Sequence, residues 1–103
     1  MDSTKLNRVL QSIGKGCFIE YFDRFNNPTY SNQELIELLM REKGYTENGS
    51  KTRVSQSRRI IKENAVQDAL NNIILSGNTK PEVRLGAKRL LAKLGKKERS
   101  PKV

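Results

Sequence analysis

The chain predicts an all-α fold, a compact bundle of about five helices, and three observations carry that expectation. Apolar residues recur at three- and four-residue spacing in separate stretches. Capping residues and glycines stand at the ends of those stretches. No stretch alternates apolar and polar residues as a half-buried strand does. With 103 residues, the chain suits one domain, able to bury roughly 65% of the surface its unfolded form exposes. Residues 1–95 are expected to form that domain and residues 96–103 a disordered basic tail.

The first helix is expected over residues 3–13, where Leu6, Val9, Leu10 and Ile13 make one stripe and Gly14 supplies a left-handed cap. Lys15 and Gly16 are read as a hinge. Phe18, Ile19, Phe22 and Phe25 continue the helical period, predicting a helix over 17–25 that carries all three phenylalanines. An aromatic cluster at helical spacing is core before it is a stacking platform for bases. Asn26-Asn27-Pro28 then breaks the chain.

Ser31 and Glu34 have the spacing of a capping box, with Tyr30 and Leu35 placed as a hydrophobic staple. The helix they open spans 32–43 and stops at Gly44, with Tyr45 opposite Met40 as in a Schellman motif. Residues 46–50 are read as a polar connector, and the next helix begins near Thr52, with the hydroxyl of Thr52 or Ser55 as N-cap. The stretch from there to Leu75 is either one helix or two joined near Asn64. Thr79 and Glu82 form a second capping box around Pro81, and Val83, Ala87, Leu90, Leu91 and Leu94 form the stripe of a last helix ending at Gly95. The expected core includes Phe18, Phe22, Leu35, Leu38, Leu39, Ile61 and Leu70.

Composition excludes several function classes. There is no histidine and a single cysteine, Cys17, which removes the usual zinc sites and the Ser-His and Cys-His nucleophile pairs. Cys17 lies among Phe18, Ile19, Tyr21 and Phe22 and is read as a buried structural thiol in a reducing compartment. Carboxylates do not cluster, so no catalytic residue, metal, cofactor or small-molecule substrate is expected. No apolar run approaches the roughly 20 residues of a membrane span, and the N-terminus lacks an apolar signal core. A soluble, cytoplasmic protein is expected.

The formal net charge is +9, and its distribution is uneven. Residues 1–50 hold six basic and seven acidic side chains, whereas residues 51–103 hold fourteen and four. All the excess positive charge lies in the second half. That asymmetry points to an anionic partner: nucleic acid, an acidic protein or an anionic membrane surface.

The start of the basic half, SKTRVSQSRRIIKEN, concentrates hydroxyl, amide and cationic side chains. Ser55, Arg58, Arg59 and Lys62 fall at offsets that share a helix face, while Val54, Ser57, Ile61 and Ala65 fall on another. Ser55, Gln56 and Arg59 are residue types that pair with base edges; Lys51, Arg53, Arg58 and Lys62 are types that reach phosphates. Arg84 and Lys88 on the last helix extend the candidate nucleic-acid-binding set. The ordinary alternative is a solvated basic face on a structural helix.

A capped helix, a polar turn and an Arg-rich helix over about residues 31–63 resemble a helix-turn-helix DNA-binding domain. The resemblance implies that residues 32–43 support and that the helix of RVSQSRRII lies in the major groove of double-stranded DNA. Residues 44–51 make a longer turn than the three or four residues of the compact motif. The reading is a small DNA-binding regulator. Its alternatives are an RNA-binding protein and a protein-interaction adaptor or inhibitor docking through apolar helix faces. Val66, Leu70, Ile73, Ile74 and Leu75 span a wide arc, which also leads to the expectation of a homodimer.

Overall fold

The computed structural model describes the backbone of residues 2–99 and the side chains of residues 2–94. The fold is all-α, and among the described residues there is no strand. Among the described residues seven helical segments follow one another: α1 Ser3–Ile13, α2 Lys15–Glu20, α3 Phe22–Phe25, α4 Asn32–Lys43, α5 Glu47–Lys62, α6 Val66–Leu75 and α7 Pro81–Arg99. They exceed the expected five or so because the helix expected over 17–25 is divided and the stretch to Leu75, which the sequence left open as one helix or two, is two.

Asp2 caps α1, its carboxylate accepting from the Lys5 N–H at 2.8 Å. The expected stripe of Leu6, Val9, Leu10 and Ile13 is buried. Gly14 closes the helix by donating its N–H to the Leu10 carbonyl, at φ +87° and ψ +120° rather than in the left-handed helical conformation expected, a backbone region open to glycine.

The single helix expected over 17–25 is two, α2 and α3. Lys15 and Gly16 are the first residues of α2 rather than a hinge, and the helix breaks at Tyr21 before α3. Phe18, Tyr21, Phe22 and Phe25 stand at offsets of three, four and seven, one helical face, and all four are buried. Phe18 and Phe22 meet edge to face with centroids 5.6 Å apart, a geometry worth about 1 kcal/mol beyond the area buried.

The capping box at α4 is present in both directions, Ser31 Oγ accepting from the Glu34 N–H and Glu34 Oε1 from the Ser31 N–H. At the other end Gly44 is left-handed at φ +68° and donates to the Met40 carbonyl. That is the single bond of the simpler αL cap rather than the Schellman pair expected.

The connector expected over 46–50 is instead the first turn of α5. Thr46 is the N-cap, its hydroxyl accepting from the Gly49 N–H at 3.0 Å, so Thr52 and Ser55 lie inside the helix. Three residues, Gly44 to Thr46, therefore join α4 to α5. α5 ends at Lys62, Asn64 turns the chain at φ +57°, and α6 follows. The long segment is thus two helices.

One core runs through all of this. α1 packs against α5 and α6, α4 against α5, α2 against α7, and α6 against α7. Of the expected core residues, Phe18, Phe22, Leu35, Leu39 and Leu70 are buried, but Leu38 and Ile61 are only partly buried. Ile60 takes the core position on α5, and Ile61 walls an open groove with Phe25, Asn26 and Pro28.

The capping box expected at Thr79 and Glu82 does not form. Pro81 occupies the first helical position, where its missing N–H costs nothing. The Lys80 carbonyl accepts from the Val83 and Arg84 N–H groups. This leaves Thr79 one residue too early to cap, with its hydroxyl unpartnered. α7 also continues past Gly95 to Arg99, so residues 96–99 are helical where a disordered tail was expected. Residues 100–103 of that expected tail lie outside the described residues.

Candidate nucleic-acid interface

α5 is seated by small side chains. Its inner face presents Ser50, Val54, Ser57 and Ile60, all buried, and the two serines let neighbouring helices approach its backbone closely. The cost is that neither Ser50 Oγ nor Ser57 Oγ has a hydrogen-bond partner. The opposite face is the candidate surface. Asn48, Lys51, Thr52, Ser55 and Lys62 are exposed and Arg59 partly so. At offsets of roughly one, two, three and four turns from Asn48 they share one face along about 21 Å of helix. No exposed side chain from Asn48 to Lys62 is apolar or acidic.

Along one flank of this stripe runs a groove of about 560 Å³ lined by Asn32, Ser55, Arg58, Arg59, Lys62 and Glu63. Asn32 opens α4, so the start of α4 lies beside the C-terminal half of α5. Arg59 Nε donates to Glu63 Oε2 at 2.9 Å, and that bond holds the Glu63 carboxyl below its usual pKa range. Lys51 faces Glu47 at 3.8 Å. Both are exposed one-turn ion pairs that contribute little to stability, and an arriving polyanion can replace them.

The remaining candidates do not join the stripe. Arg58 turns back onto the protein: Nε donates to the Phe25 carbonyl at 3.2 Å, Nη1 to Asn32 Oδ1 at 2.6 Å, and Nη2 to the carbonyls of Asn27 at 3.1 Å and Tyr30 at 2.6 Å. Arg53 lies on the other flank, its guanidinium carbon 3.7 Å from the centroid of the Tyr45 ring and its Nη1 donating to the Gly49 carbonyl. It lines a separate groove of about 590 Å³ with Cys17, Glu20, Lys43 and Tyr45. Burial there pushes the Cys17 thiol above its usual pKa, which disfavours the thiolate. Gln56 is partly buried, with its amide oxygen unpartnered in the interior.

Arg84 closes the end of α6 by donating to the Ser76 carbonyl at 2.8 Å. Lys88 is exposed on α7, and neither residue lines the grooves along α5. The wide aliphatic arc of α6 finds its cover within the chain, since α1 and α7 both pack on it. Leu70 and Ile73 are buried, and Leu75 alone of the set is exposed.

Sequence reasoning missed Asn48 and treated Thr52 only as a cap. The signal was Thr46 followed three residues later by Gly49, a hydroxyl N-cap spacing. Asn48-Gly49 obscured it, being a turn-forming pair and a poor helix former. Comparison of the chain with protein-family models, with curated proteins and with solved structures found no match in any of the three.

Proposed function

We propose that this chain binds double-stranded DNA through the outer face of α5. The observation that carries the reading is the stripe itself: amide, hydroxyl and cationic side chains along about 21 Å of one helix, with no exposed carboxylate or apolar side chain between Asn48 and Lys62. A helix of this kind fits the roughly 12 Å width of the major groove. The three-residue turn from α4 to α5 matches the length of the compact motif the sequence resembles. Asn48, Thr52, Ser55 and Arg59 are the candidate readers of base edges, with those nearest the N-terminus of α5 best placed. Lys51 and Lys62 are the candidate phosphate contacts. Duplex is favoured over single strands because no aromatic side chain is exposed among the described residues, whereas single-strand binders stack bases on aromatic rings.

The test is fluorescence anisotropy with labelled random and A/T-rich duplexes and single strands across a salt series. Binding that weakens steeply with salt, in proportion to the phosphates neutralised, supports the reading. Absence of duplex binding at low salt, or binding indifferent to salt, rejects it in favour of a protein-docking role.

A further inference from the structure

We infer that Arg58, with Arg53 as its counterpart, is a positioning residue that fixes the rotation of α5 about its own axis and so selects which side chains form the stripe. The inference rests on the DNA-binding reading and assigns to Arg58 a role other than phosphate contact. Five residues apart, the two arginines project about 140° apart around the helix, on either side of the buried face of Ser50, Val54 and Ser57. Each ties α5 to one end of α4. Arg58 bonds the carbonyls of Phe25, Asn27 and Tyr30 and the amide oxygen of Asn32, the segment that leads into α4. Arg53 stacks on Tyr45 in the turn that leaves α4.

The chemistry explains why these are arginines. Phe25 ends α3 and residues 26–31 form no helix, and a planar guanidinium with five fixed donors reaches the carbonyls of Phe25, Asn27 and Tyr30 and a side-chain amide at once. A lysine ammonium offers three donors from a single point and cannot span them. With Arg58 engaged, α5 cannot roll to bring Ile61 outward or to turn Ser55 and Lys62 toward α4. A roll of one residue, about 100°, would replace the polar stripe by a partly apolar one.

The experiment compares the parent with Arg58→Lys, Arg58→Ala and Lys62→Ala by duplex anisotropy over a salt series, with amide hydrogen exchange on each free protein. Positioning predicts that R58K loses as much affinity as R58A, with the salt slope of the parent kept in both. Exchange should quicken at Asn27, Thr29 and Tyr30 while the α1 and α6 amides stay protected. Lys62→Ala should instead lower the slope by about one. The inference is overturned if R58K binds as the parent does while R58A loses about one from the slope, since Arg58 would then touch phosphate. It is also overturned if the loop amides quicken in R58K and duplex affinity does not change. A parent that binds no duplex rejects the DNA-binding reading. The exchange of Asn27, Thr29 and Tyr30 then still decides whether Arg58 holds the loop.

Discussion

Gly86 of α7 faces Ile19 of α2 so closely that a Cβ built on the glycine would stand 2.7 Å from Ile19 Cγ2. Ile19 is β-branched and stiff at χ1, so the contact cannot be relieved by a small swing of a flexible side chain. It explains a glycine in the interior of a helix, where alanine would be favoured by about 1 kcal/mol on propensity alone.

Gly86→Ala should therefore destabilise the protein by about 1–3 kcal/mol, the cost of overpacking outweighing the propensity gain. Urea denaturation of Gly86→Ala, Ile19→Ala and the double variant provides the check. In the double variant the glycine replacement should cost little or become favourable, a coupling that additive behaviour of the two changes would disprove.

Ser57 gives the opposite expectation, because its hydroxyl is buried without a partner on the inner face of α5. Ser57→Ala keeps the close approach of the helices and removes the desolvated hydroxyl, so stability should rise by about 0.5–1 kcal/mol. Ser57→Leu should lower it by about 1–3 kcal/mol through overpacking. Thermal midpoints of the two variants should move in opposite directions; a fall in Ser57→Ala would mean that the hydroxyl contributes a favourable interaction.

The capping box of α4 carries a pH signature. The Ser31 N–H bond to Glu34 holds that carboxyl below its usual pKa, so the folded protein binds fewer protons there than the unfolded chain. The stabilisation is present above the ordinary carboxylate range and is lost as pH falls through the lowered pKa. Urea midpoints measured from neutral pH into acid should fall more steeply for the parent than for Glu34→Gln. Ser31→Ala should cost about 1 kcal/mol at neutral pH.

On the DNA-binding reading, Arg59 and Lys62 should fail differently when replaced. Arg59 keeps two guanidinium nitrogens beyond its Nε bond to Glu63, enough for a twofold pairing with guanine. Arg59→Ala should reduce preference among sequences by about 1–3 kcal/mol. Lys62→Ala should weaken all duplexes alike and lower the salt slope by about one. Anisotropy against a panel of duplexes separates the two; equal binding of both variants and the parent would make this face ordinary solvated surface.

Most of the helices were legible because their signals are local. The stripe of α1, the Ser31 and Glu34 pair and the glycines at 14 and 44 each act within one or two turns of chain, so spacing alone locates them. The start of α5 was not legible. Asn48-Gly49 favours a turn locally, yet Thr46 caps the helix and Ser50 is fully buried in its first turn, so tertiary packing overrode propensity. The cap expected at Thr79 failed for a local reason, since Pro81 takes the first helical position and the Lys80 carbonyl accepts the first helical bonds.

By itself the sequence determined an all-helical chain, a basic second half and the run of side chains from which any α5 surface must be drawn. Periodicity, capping chemistry and charge are properties of residues and near neighbours, and they survive without a fold. Only the tertiary structure decided which arginines face outward. Arg53, Arg58 and Arg59 lie within one short run, but Arg58 meets carbonyls 28 to 33 residues earlier in the chain and Arg53 meets the ring of Tyr45. A guanidinium goes where unsatisfied acceptors or an aromatic face await it, and those partners are assembled only when distant segments fold together.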